Sequence, residues 1–315
     1  MPDLTRGKVL VGIAGDEDAA AALAYAAAEA RRRGCGVHLA SVVHPVATSA
    51  EAASFNVLEA MLHSASASAL HRAQRHLVGE LGDEVVVSTE LIHGAVVPTL
   101  VSLSSLASVV VLQQGSNHGA RIPTLSVING VAARSHAPVV VVPATWEDPG
   151  AVGSGTAPVV VGLSDPIAGE RVVRAALEEA RVRRAPMRVL HAWHFTDQFD
   201  DLVFEGEAGR DHEAQLLADV TEGLAPVLAG VPDVETEVSA EHSHVTDALV
   251  AASASAQLLV LGRHRSRLPL GRHLGSNTRA VLRETRCPVM VVDPVPAPET
   301  SGRHRVLHEV GGPTT

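Results

Sequence analysis

The sequence repeats itself, and this repeat restricts the fold more than any other feature of the chain. Val11-Gly12-Ile13 returns as Val161-Gly162-Leu163, and Ala137-Pro138-Val139 returns as Cys287-Pro288-Val289, each 150 positions later. Within each copy, short apolar runs alternate about five times with segments whose apolar residues recur at helical spacing. The chain therefore carries two copies of one α/β unit.

Strands that alternate with helices form parallel sheets, because each helix returns the chain to the same end of the sheet. We expect two tandem, doubly wound, parallel five-stranded sheets with helices on both faces. The predicted elements used below are strands at Val37–Val43, Glu84–Leu91, Met187–Trp193 and Val234–Val238, and a helix that starts at Asp165-Pro166, with Asp as N-cap.

Composition divides the chain further. We predict a first domain at 1–146, a linker at 147–157, a second domain at 158–294 and a disordered tail at 295–315. The linker is rich in Gly, Pro and Ser, and the tail consists mostly of Pro, Gly and charged residues.

Charge and composition exclude several classes of function. A net charge of -10 and an aromatic content of 2% argue against nucleic-acid binding. No apolar run is long enough to cross a membrane, and the N-terminus lacks the apolar segment of a signal peptide. The two cysteines, Cys35 and Cys287, lie far apart, which is typical of a reducing compartment. We therefore expect a cytoplasmic protein without a membrane partner.

A basic loop follows the fourth strand of the second copy. The apolar run Leu258–Leu261 ends at Gly262, and the next twelve residues, Arg263–Leu274, hold four arginines, two histidines and no acid. Gly275-Ser276-Asn277 then opens a helical pattern. A strand, a basic loop and a helix that starts after glycine present N–H groups and positive charge to a phosphate. A solvated loop and a simple glycine turn remain alternative interpretations.

These residues resemble the nucleotide motif of the universal stress proteins, in the tandem form found in actinobacteria. That motif is Gly, two residues, Gly, nine residues and Gly-Ser/Thr, and here its glycine positions hold Gly262, Arg265 and Gly275, followed by Ser276. The segment that begins Cys287-Pro288-Val289 is similar to the family's last strand. The resemblance covers both halves and implies a Rossmann-like fold.

Two departures from the family pattern concern the second half. Arg265 stands where the motif has its second glycine. Family members that bind ATP also carry an acid at the end of the first strand, where this chain has Ser164, and Ala14 in the first half.

The first half departs further. Gln113 stands at the first motif glycine, Ser116 at the second and Leu125 at the third, with Ser126 after it, and the loop holds one arginine, Arg121. The pattern predicts that the first site is lost, so that only the second half binds a nucleotide.

The resemblance implies a stress-response protein that binds ATP or another adenine nucleotide as a regulatory ligand. It implies no enzyme, and at most a low ATPase activity. The nucleotide-binding residues implied are Gly162, Ser164, Ala192, Gly262, Arg263, His264, Arg265, Gly275, Ser276 and Asn277.

Other functions compete with this one. A nucleotide-independent scaffold with two degenerate sites is the main alternative. An adenine-nucleotide alpha-hydrolase needs an early SGGxDS loop, which Gly15-Asp16-Glu17 does not supply, and no Gly-x-Ser-x-Gly elbow indicates a serine hydrolase. The histidine groupings lack Cys or acid partners at zinc spacing, so we predict no metal.

The last strands of the two halves, Val139–Val142 and Val289–Val292, are apolar throughout, and unpaired edges of this kind aggregate. In the family such strands pair across a dimer axis. Our hypothesis is that they pair here within one chain, as an internal pseudo-dimer. A further homodimer and protein partners remain open.

Overall fold

Ten strands form one sheet in the computed structural model, which describes residues 5–15, 19–44, 52–82, 85–115, 124–148, 157–164, 169–194, 207–263 and 274–294. The strands are β1 (Val9–Gly12), β2 (Val37–Val43), β3 (Val87–His93), β4 (Val109–Gln113), β5 (Val139–Val142), β6 (Val159–Gly162), β7 (Met187–Trp193), β8 (Thr236–His242), β9 (Leu258–Gly262) and β10 (Val289–Val292). The helices are α1 (Ala20–Arg33), α2 (Ala52–Leu81), α3 (Val96–Ser104), α4 (Thr124–Arg134), α5 (Glu170–Arg183), α6 (Glu207–Leu228), α7 (Val245–Ser253) and α8 (Ser276–Glu284).

Each half contributes five parallel strands, which confirms the predicted fold class. The order across the sheet is β3-β2-β1-β4-β5-β10-β9-β6-β7-β8, so the second half repeats the order of the first in reverse. Each half changes winding direction beside β1 or β6, the position at which ligands of such sheets bind, outside the carboxyl ends of the strands.

The two five-stranded halves join at β5 and β10. These strands pair antiparallel, with Val141 opposite Val289, Met290 opposite Val140 and Val291 opposite Val139. The hypothesis of pairing within one chain is confirmed. Both strands are buried along their whole length, which explains why neither contains a polar residue.

Apolar side chains cover both faces of the sheet. One core contains residues of α1, α2, α5 and α6, and the other contains residues of α3, α4, α7 and α8. Each core takes residues from both halves. Strand residues alternate between them, so that Val9 and Val11 lie in the first core while Leu10 lies in the second.

An ionic cluster connects the halves where α1 meets α5. Arg33 of α1 pairs with Glu29 and with Glu179 of α5, and Arg183 of α5 pairs with both glutamates. Burial alone would raise the pKa of Glu29, but the guanidinium groups of Arg183 and Arg33 outweigh it and hold that pKa below its usual value. The buried charges therefore neutralise one another across the junction.

The structure corrects the limits of two predicted strands. The outermost strands lie further along the chain than expected, at Val87–His93 and Thr236–His242. Their last residues are polar, and backbone pairing with β2 and β7 rather than an apolar run decides where they end. Helix α5 begins at Glu170 with Gly169 as its N-cap, and the predicted start at Asp165-Pro166 lies outside the described residues.

Among the described residues, no helix has the length and apolar character needed to cross a membrane. The predicted tail lies outside the described residues, as does most of the predicted linker. The domain boundaries stay predictions.

Candidate functional site

The carboxyl ends of β6, β7, β9 and β10 meet at one edge of the second half. Gly162 at the end of β6 pairs with Leu190 of β7 on one side and with Leu261 of β9 on the other. Gly262 at the end of β9 pairs with Val292 of β10. The topology therefore brings the two glycines of the predicted site to neighbouring strands, on the edge where ligands of such sheets bind.

Packing requires Gly162. A Cβ atom at this residue would lie 2.7 Å from Cδ2 of Leu261 and 2.8 Å from Cδ2 of Leu249. The absence of a side chain thus lets two buried leucines close over the strand. Ser164, just beyond, is exposed, and Ala192 of β7 is half-buried against the α7 and α8 side of the sheet.

Helix α8 starts where the motif predicts. Gly275 is its N-cap, and Ser276 and Asn277, the first two helical residues, are exposed. Because glycine has no side chain, this cap leaves the first backbone N–H groups of the helix to other acceptors. A helix N-terminus carries partial positive charge and suits a phosphate oxygen.

Arg263 is buried and its guanidinium contacts the first half. Nη2 donates to the carbonyl oxygen of Ser135 at 2.6 Å, and Nη1 lies 3.4 Å from the carbonyl oxygen of Ala133 and 3.4 Å from Oδ2 of Asp293. These carbonyls lie at the C-terminal end of α4, which carries partial negative charge. Arg263 of the second half is therefore hydrogen-bonded to the first half.

His264 and Arg265 lie outside the described residues, as does the rest of the loop at 264–273. Gly262 itself is described. A Cβ atom there would lie 3.0 Å from Cγ2 of Val172, near the start of α5. A glycine at this position therefore keeps a side chain out of the space between β9 and α5.

The corresponding position in the first half holds a side chain. Gln113 ends β4 as Gly262 ends β9, and its Oε1 accepts a hydrogen bond of 3.1 Å from the backbone N–H of Ala22. Ala22 lies in the first turn of α1, whose N-cap, Ala19, has no side-chain acceptor. The glutamine therefore supplies a cap from another element, at the place where the second half has only a glycine.

The sequence did not assign His191 to the nucleotide site, although this residue lies beside the same edge. Its Nδ1 lies 2.9 Å from the carbonyl oxygen of Leu163, so this nitrogen carries the proton in the neutral ring and Nε2 is an acceptor. The corresponding residue of the first half is Ser41. In the sequence, this difference between the halves can be seen only when residues 150 positions apart are compared.

The described residues offer little for covalent or metal chemistry. Burial raises the pKa of Cys287 to about 12, so its thiol stays protonated. Within the described ranges, no group of three or more His, Cys, Asp or Glu residues could hold a metal ion. The edge of the sheet offers backbone N–H groups and a glycine-lined space, which suit binding of an anion.

Comparison with known proteins agrees with this architecture. The model of the universal stress protein family matches the chain twice, at residues 5–143 and 156–293. A universal stress protein of Mycobacterium tuberculosis is 31% identical over 304 residues, which covers 90% of this chain and 94% of that protein. One of Mycolicibacterium smegmatis is 29% identical over 291 residues, with 91% and 97% covered.

Among solved structures, a universal stress protein from Archaeoglobus fulgidus matches with a TM-score of 0.63. The match covers 91% of this chain and 97% of that one, at 15% identity, and it supports the fold alone. Family model, relatives and fold agree over both halves, and the chain belongs to the universal stress protein family.

Proposed function

We propose that this protein acts in a stress response and that its second half binds ATP, or another adenine nucleotide, as a regulatory ligand. The observation that carries the proposal is the difference between the halves at the end of the fourth strand. Gln113 fills this position in the first half, whereas Gly262 leaves it without a side chain in the second. One nucleotide per chain follows.

In this proposal, the phosphates lie at the N-terminus of α8. Backbone N–H groups of Ser276 and Asn277, together with the Ser276 hydroxyl, donate to phosphate oxygens, and Gly262 and Gly275 allow the close approach. Arg265 adds a positive charge from the basic loop, and His264 adds a ring N–H donor. Arg263 has a different role because its guanidinium bonds the first half.

The nucleoside end lies along Gly162, Ser164 and Ala192. Ser164 offers one hydroxyl for the ribose or the base, and the half-buried Ala192 gives an apolar surface. In this proposal the nucleotide acts as a ligand rather than as a substrate, and neither a general base nor a metal-binding carboxylate takes part. Multiple turnovers of ATP per minute by the purified protein would contradict this part.

Calorimetric titration of ATP, ADP and a cyclic nucleotide into the full chain tests the proposal. We expect micromolar affinity at one site per chain, and loss of binding in the variant Gly275→Ala plus Ser276→Ala. The matched control is Ser126→Ala, which removes a hydroxyl at the corresponding helix of the first half and should leave binding unchanged.

A scaffold without nucleotide is the second candidate, and one observation favours it. Gln113 shows that this fold can fill the position at the end of the fourth strand with its own side chain and use the nearby N–H groups internally. If millimolar ATP gives neither heat nor a thermal shift, the scaffold replaces the nucleotide proposal for the second half as well.

A further inference from the structure

The two halves cap each other's helices beside the candidate site. Arg263 of the second half donates to the carbonyl oxygens of Ala133 and Ser135, at the end of α4 in the first half. In return, Nε2 of Gln114 in the first half donates to the carbonyl oxygen of Arg283, at the end of α8 in the second half, at 2.9 Å.

The repeat relates these contacts to one another. Gln114 directly follows β4 as Arg263 directly follows β9, and Ala133 and Arg283 are 150 positions apart. The contact of Gln114 with Arg283 and the contact of Arg263 with Ala133 are therefore equivalent, and each half makes one of them to the other half. In each case a side chain satisfies a carbonyl that the last turn of a helix leaves without an intrahelical partner.

Both contacts involve elements of the candidate nucleotide site. Arg263 is the residue after Gly262, and its backbone N–H donates to the carbonyl oxygen of Val292 at 2.9 Å, which fixes the start of the basic loop against β10. Helix α8 begins at the proposed phosphate contact, Ser276, and its last turn contains the carbonyl that Gln114 caps. The first half therefore contacts both elements beside the candidate site, namely the end of β9 and helix α8.

The Arg263 contact is the stronger of the two. Arg263 is 7% exposed, and its charge is compensated by the carbonyls at the end of α4 and by Asp293. Hydrogen bonds from a charged donor are about twice as strong as neutral ones. Release of Arg263 would leave the carbonyls of Ala133 and Ser135 without this donor, so the end of α4 would open more easily as well.

We infer that Arg263 links nucleotide occupancy of the second half to the local stability of the first half at the end of α4. A nucleotide that binds beside Gly262 and at the N-terminus of α8 stabilises the arrangement of these residues and so suppresses opening at Arg263 and in α8. Because this opening breaks the Arg263 contacts, the same nucleotide suppresses opening at the end of α4. The inference rests on the proposed nucleotide site, and Arg263 acts in it as a positioning residue.

Hydrogen exchange of the full chain, with and without saturating ATP, tests the link. We expect slower exchange in α8, and about fivefold slower exchange at residues 131–137, which is the lower end of usual coupling between two sites. In Arg263→Gln, which places the residue type of Gln114 at this position, ATP should still slow exchange in α8 but not at 131–137. ATP concentration is raised until the variant is saturated.

Two controls separate this link from a general effect. Tyr25→Phe weakens contact between the halves on the other face of the sheet and should leave the ATP effect at 131–137 intact. Strand β3, at the far edge of the first half, should exchange at the same rate with and without ATP.

Each other outcome counts against the inference. Slower exchange in α8 alone would overturn it and leave the nucleotide site standing. Equal slowing in β3 would overturn it in favour of a uniform stabilisation of the chain. No slowing anywhere would overturn the proposed site and, with it, the inference.

Discussion

Nη2 of Arg183 donates to the hydroxyl group of Tyr25 at 2.8 Å, across the junction between α5 and α1. Tyr25 is buried, with its ring 5.5 Å from that of Trp146 in an edge-on arrangement. The repeat places Ala175 at the position that corresponds to Tyr25, so this bond has no counterpart in the other direction. The pairs Arg33–Glu29 and Arg183–Glu179 correspond to each other across the repeat, whereas the contact with Tyr25 is made in one direction and makes the junction specific for two unlike halves.

Replacement of Arg183 by Met should destabilise the protein strongly. The side chain of Arg183 is 2% exposed, and its loss leaves Glu29 and Glu179 with fewer cations in a buried place. We expect the free energy of unfolding to fall by about 3–5 kcal/mol, the usual cost of breaking a buried ion pair from one side. Urea denaturation measures it.

Tyr25→Phe is the matched control, because it removes only the hydroxyl that accepts from Arg183. It should lower the free energy of unfolding by about 1 kcal/mol. If Arg183→Met were no less stable than Tyr25→Phe, the cluster would contribute nothing to holding the halves together.

His38 should make stability depend on pH. Its buried ring lies between the Ser88 hydroxyl, 3.0 Å from Nδ1, and the Glu90 carboxylate, 3.3 Å from Nε2. Burial lowers the pKa of His38, although Glu90 acts in the opposite direction. The unfolded chain then binds the proton first as pH falls, so this histidine's contribution to stability is complete above about pH 6.5 and is lost as pH falls through the folded-state pKa.

His38→Gln should therefore flatten the dependence of unfolding free energy on pH between about pH 7.5 and about pH 5.5. His136→Gln is the control, since His136 is exposed and the change should leave the slope as it is. Urea denaturation at several pH values measures both variants. An unchanged slope in His38→Gln would mean that other groups carry the dependence.

Gly162→Ala should destabilise the chain even without a nucleotide. Its Cβ would lie within 3.0 Å of Leu261 and Leu249, so that two buried leucines must move. We expect a loss of about 1–3 kcal/mol. Gly79→Ala is the opposite case: a Cβ there meets nothing within 4 Å on α2, and the change should stabilise by about 0.5–1 kcal/mol. Thermal unfolding of the two variants should shift in opposite directions.

The strands at the centre of the sheet should exchange their amide hydrogens slowly. Val140 and Met290 lie opposite each other in β5 and β10, and both are buried. Hydrogen exchange should place these amides among the slowest of the chain, since they exchange only on opening of the whole sheet. Rapid exchange at Val140 or Met290 would contradict the joint between the halves.

Apolar runs were sufficient to predict the inner strands. The limits Val37–Val43 and Met187–Trp193 agree with the sequence prediction residue by residue, because each strand begins and ends with an apolar residue and most of its residues are apolar. The outermost strand β8 is different. Its residue Glu241 pairs with Arg188 of β7, so a charged residue belongs to the strand through a partner that is distant in sequence.

The chemistry of Arg263 shows where the sequence was insufficient. An arginine after a motif glycine suggests a phosphate contact, yet its main partner is the carbonyl oxygen of Ser135, 128 residues away. Helix ends become partners only after the two halves have joined. The repeat did contain a signal for this role of Arg263. Gln114 holds the equivalent position in the first half, and both residues have long side chains with N–H donors directly after a strand.

The joint between β5 and β10 has a consequence for how the protein responds to its own abundance. In an assembly of separate chains, dilution drives the partners apart, whereas two units on one polypeptide meet at an effective concentration on the order of millimolar or above. Expression level therefore sets how many assembled pairs a cell holds, and not whether they are assembled. It also allows one unit to keep Gly262 while the other has Gln113, since a tandem gene always delivers the two unlike units together and in equal number.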